Sequence, residues 1–99
     1  MAGLHVNAEV MHSQGISTIN LSQDLGAQIG SLKSNIETLM TIWKGASSEQ
    51  FRQAVEPQIQ NLRSFQEILE TLGQSIVEGA QRFDQVEQDN ADRARNLFN

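Results

Sequence analysis

Apolar residues recur along this chain in two periodic segments. The first carries Met11, Thr18, Leu21, Leu25, Ile29, Leu32, Ile36, Leu39 and Trp43, mostly at steps of three, four or seven. On a helix these positions fall along one stripe. Asn7 has the side chain of an N-cap, and Glu9 places a carboxylate in the first turn, where the helix dipole favours it. The spacing therefore predicts a helix over about 8–42, roughly 50 Å long at ~1.5 Å per residue. Gly15, Gly26 and Gly30 lie inside it, each weakening it by ~1 kcal/mol relative to alanine. Either they sit on an exposed face that tolerates them, or they let a neighbouring helix come close.

The second segment is more regular. Phe51, Val55, Ile59, Leu62, Phe65, Leu69, Leu72, Ile76, Gly79, Phe83 and Val86 alternate steps of three and four through most of its length, the signature of a heptad seam. Ile68 beside Leu69 and Val77 beside Ile76 widen the stripe beyond one helix–helix contact. Pro57 removes a backbone donor and predicts a kink about two turns into this helix. Glu78 with Arg82 and Asp89 with Arg93 have the favoured i, i+4 orientation, worth ~0.2–0.5 kcal/mol per pair on a solvated face. The pattern predicts a helix over about 48–86 and a polar tail over 87–99. Val86, Asn90, Ala94 and Leu97 would extend that helix weakly, or leave the tail without order until a partner supplies it.

Between the segments, the turn over 43–47 reads as a helix stop followed by a helix start. Gly45 supplies the left-handed conformation that ends a helix, and Ser47 with Gln50 three residues on has the spacing of a capping box. So short a link returns the second helix antiparallel to the first, as a helical hairpin. Trp43, the sole tryptophan, then stands at the closed end, covering the end of the apolar seam.

Two helices side by side each bury one flank, and both stripes are wider than that. A second hairpin burying eight or ten more large side chains, at ~1.5–3 kcal/mol each, would decide stability. The expected architecture is all-α: residues 1–99 form one domain, an antiparallel helix-turn-helix hairpin dimerising into a four-helix bundle.

Composition excludes more than it selects. Twelve acidic residues against seven basic give a net charge of −5, so nucleic acid and anionic lipid surfaces are disfavoured partners. Without cysteine there is no disulfide framework and no thiolate metal site. The N-terminal MAGLHVNAEV lacks the basic and apolar regions of a cleaved signal peptide. If the protein is exported, a conventional leader is not the expected route.

With these elements in place, the chain resembles the Trp-X-Gly hundred-residue family, the early-secreted-antigen-like substrates of type VII (ESX) secretion in Gram-positive bacteria. The resemblance rests on the length, the central Trp43-Lys44-Gly45, and the helical seams on either side. Phe51 soon after the turn, Pro57 in the second helix, and Glu87-Gln88-Asp89 followed by a polar stretch and Phe98 resemble the homodimeric staphylococcal branch.

This resemblance implies a protein made in the bacterial cytoplasm and secreted without a cleaved leader. It would act by protein–protein binding, as a virulence-associated factor or a co-secreted structural partner. Implied partners are a second copy or a paralogous Trp-X-Gly protein, and the secretion ATPase, engaged through the C-terminal tail. The family's export signal pairs a tyrosine with an acidic residue four positions later. Here Phe83 and Glu87 keep the aromatic and the carboxylate but lack the phenol hydroxyl; without the resemblance they are a seam residue and a solvated carboxylate. Trp43 and Gly45 form the implied bend motif. The remaining alternative is an intracellular adaptor covering the helical leader of a larger secreted protein.

Catalysis has little support. His5, Glu9 and His12 share a spacing that could hold a metal, but they lie around the predicted helix start and read as ordinary exposed polar residues. There is no phosphate-binding glycine loop and no nucleophile-elbow serine. No enzyme activity and no cofactor are expected.

Overall fold

The structure, a computed structural model, describes residues 7–97. These residues form two helices, α1 (Ala8–Ile42) and α2 (Ala46–Leu97), joined by a short bend as a helix-turn-helix hairpin. Asn7 starts α1: its Oδ1 accepts the Val10 amide at 2.8 Å, and its carbonyl accepts the Met11 amide at 3.0 Å. The side chain caps one otherwise orphaned donor and the carbonyl accepts the first intrahelical bond, which fixes where the helix begins. The residues divide into two compact units, Asn20–Glu70 and Met1–Ile19 with Thr71–Asn99.

In the unit Asn20–Glu70, the apolar seam separates into two flanks. Ile29 is buried at 1% exposure, and Leu25, Ile36, Phe51, Val55, Ile59 and Leu69 are half-buried along the inner flank. Ser22 is fully buried among them. Leu21, Leu32, Leu39, Leu62 and Phe65 form an outer flank open to solvent, with Leu21 at 60% and Phe65 at 54% exposure. A stripe wider than one helix contact has this outcome, because a single partner helix covers only part of it. Each large side chain left exposed forgoes ~1.5–3 kcal/mol of burial.

In the unit Met1–Ile19 with Thr71–Asn99, small residues let the helices approach closely. A Cβ built on Gly15 would lie 2.7 Å from Val77 Cγ2 and 2.9 Å from its backbone nitrogen. One built on Gly73 would meet Ile19 Cγ1 at 2.7 Å and its backbone nitrogen at 2.9 Å. Ala80 is buried in the same contact region, Ile76 is half-buried and Leu72 is exposed. The three glycines of α1 therefore differ. Gly15 is a close-approach site, Gly26 lies under the Gln66 side chain, and Gly30 has open space where a Cβ would go.

Helix α2 corrects several expectations. It starts at Ala46, ahead of the expected 48, and continues past the seam's end at Val86 to Leu97. It passes through Pro57, as the sequence pattern expects of a proline that removes one backbone donor without ending the helix. Residues 84–97 are all exposed, and local polar contacts support their helical form. Gln85 Nε2 donates to Asp89 Oδ1 at 3.1 Å, Gln88 Nε2 donates to Asp84 Oδ2 at 3.4 Å, and Arg95 pairs with Asp92 at 3.3 Å. The Glu78–Arg82 and Asp89–Arg93 pairs expected from spacing are not formed: among the described residues the ion pair is Asp92–Arg95, and Asp89 is engaged by Gln85.

Candidate docking site: the bend and the exposed stripe

The bend is built by a few residues with separate tasks. At the end of α1 the Trp43 amide donates to the Leu39 carbonyl at 2.9 Å, and Lys44 Nζ reaches back to the Met40 carbonyl at 2.9 Å. A cation on these terminal carbonyls meets the negative end of the helix dipole. Gly45 then takes φ +116°, a conformation that a side chain makes costly. It reverses the chain within one residue, which is why α2 starts immediately at Ala46. The expected Ser47–Gln50 capping box does not form; Ser48 Oγ instead donates to the Gly45 carbonyl at 2.8 Å, and the Glu49 amide makes the first intrahelical bond to the same oxygen at 3.3 Å.

Trp43 sits half-buried beside this reversal, its ring 5.4 Å from that of Phe51 and tilted by 44°. Tilted pairs at this distance are favourable by ~0.5–1.5 kcal/mol beyond their burial. One part of the indole thus closes the end of the inner flank through Phe51, and the other part faces solvent. Close by, Ile42 is 78% exposed.

The outer flank is the second feature. On α1, positions 21, 28, 32, 35 and 39 read Leu, Gln, Leu, Asn, Leu; on α2, positions 62 and 65 read Leu and Phe. Neither run contains a charge. Apolar surface depleted of charge is the composition of an interface core.

Phe83 and Glu87 lie one turn apart on α2, Phe83 half-buried and Glu87 exposed. They belong to the unit Met1–Ile19 with Thr71–Asn99, whereas Trp43 and Gly45 belong to Asn20–Glu70. His5 and Phe98 lie outside the described residues. Glu9 and His12 are exposed, and among the described residues no cluster of three or more carboxylates and imidazoles is placed to hold a metal. A groove of about 120 Å³ runs beside the bend and a more open one of about 270 Å³ beside Glu9, His12 and Asp84. Both fall short of the ~300 Å³ at which small-molecule pockets begin. Among the described residues no helix is long and apolar enough to cross a membrane.

A family model, WXG100 (proteins of 100 residues with WXG), matches residues 3–88. The chain belongs to the WXG100 family. Membership makes it a small helical structural protein and not an enzyme. Among solved structures, the WXG100 chain is similar to EsxA of Geobacillus thermodenitrificans at 24% identity and TM-score 0.81, over 91% of this chain and 99% of that one. It is also similar to EsxB of Bacillus anthracis, described as a secreted protein, at 23% identity and TM-score 0.78, over 88% of this chain and 99% of that one. At these identities the likeness shows the fold. No curated protein matches the chain significantly.

The sequence reading missed Gly73, the partner of Gly15 in the close contact, because a glycine adds no apolar step to the seam, although it lies seven residues before the buried Ala80. It also missed Ser22, whose small polar side chain occupies a position seven residues before Ile29. The heptad spacing from Ile29 was the signal that could have found it.

Proposed function

We propose that this WXG100 protein is a binding module exported by type VII secretion, carried as a dimer whose interface is the charge-free outer flank. Outside the cell it acts through protein contacts, as a virulence-associated factor or as a structural partner of other exports. The observation carrying the reading is the exposed run Leu21, Leu32, Leu39, Leu62 and Phe65 in a chain of this family.

In this reading the secretion machinery recognises the solvent-facing part of Trp43 at the Gly45 bend, and the Phe83–Glu87 turn of α2. Family membership supports the route, and the secreted EsxB of similar fold supports the destination. The test is export from the native host with and without its type VII ATPase, for the parent chain and for Trp43→Ala, Phe83→Ala and Glu87→Ala. The mass of each purified variant, by light scattering, separates lost recognition from lost pairing. ATPase-dependent appearance in the medium, abolished in a variant that still pairs, supports the proposal. A chain retained in the cytoplasm in a stable heteromeric complex would instead make it an intracellular adaptor and overturn the reading.

A further inference from the structure

We draw no further inference here: the strongest candidate, the shallow groove beside the bend floored by Ile36, Met40, Val55 and Ile59 with Lys33, Glu37, Arg52 and Glu56 at its rim, carries nothing because no feature of the structure shows what covers it.

Discussion

Gly15 and Gly73 face each other across the helix pair so closely that a Cβ on either would lie 3.0 Å from the other's carbonyl oxygen. Backbone stands against backbone there, so moving the Val77 and Ile19 side chains aside would not relieve the contact. Gly15→Ala should therefore lose stability although alanine is the better helix former by ~1 kcal/mol. Gly30→Ala, with nothing within 4 Å of the added methyl, should gain up to that amount. In a domain of this size ~1 kcal/mol corresponds to ~4–8 °C in Tm. Thermal unfolding followed by circular dichroism should shift down for the first and up for the second; equal shifts of the same sign would refute the close contact.

At Gly45 the cost is conformational. Its φ of +116° lies where a side chain is strained by on the order of 1–3 kcal/mol, and nothing crowds the position itself. Gly45→Ala should lower the denaturation midpoint at unchanged m-value, because the bend is strained while the surface buried stays the same. A change in m would point instead to an altered fold.

Trp43, as the sole tryptophan, reports on its own surroundings. Replacing Phe51 by alanine removes the ring 5.4 Å away and opens the end of the inner flank to water. The indole emission should move to longer wavelength and become easier to quench with iodide. An unchanged spectrum would show that Phe51 does not shelter the indole in solution.

The outer flank gives the sharpest expectation. Light scattering should return about 22 kDa for the parent, twice 11.0 kDa, with a Tm that rises with concentration as mass action requires. Phe65→Glu places a charge on an apolar face that carries none, and burying an unpaired charge costs several kcal/mol. That variant should be a poorly helical monomer near 11.0 kDa. If it keeps the parent's mass and helicity, the pairing surface lies elsewhere.

How far the sequence discloses this arrangement depends on the type of signal. Apolar periodicity at three and four residues places both helices and the hairpin, because burial of one face dominates helix energetics. Asn7 is legible as a cap because its short side chain has few other uses before an amphipathic run, and Gly45 because few other residues adopt its backbone angle. Periodicity marks a residue as apolar without saying which neighbour covers it. Leu21 at 60% exposure and Ile29 at 1% belong to one stripe in sequence and to different surfaces in space. Contacts such as Gly15 with Gly73 depend on which residues meet across the hairpin, and composition carries no trace of that. The helical state of 84–97 was also open in the sequence: its polar residues bury nothing, and continuation from α2 decides the matter.

That continuation has a consequence for any receptor of the C-terminal segment. A free fourteen-residue helix in water would be marginal, because nucleation is costly; one that grows from an existing helix needs only propagation. Residues 84–97 are therefore already shaped before an encounter. Ordering a flexible tail costs ~1–2 kcal/mol of backbone entropy per residue, and a preformed end avoids most of that cost. A receptor for this segment would then need only a modest contact area for useful affinity.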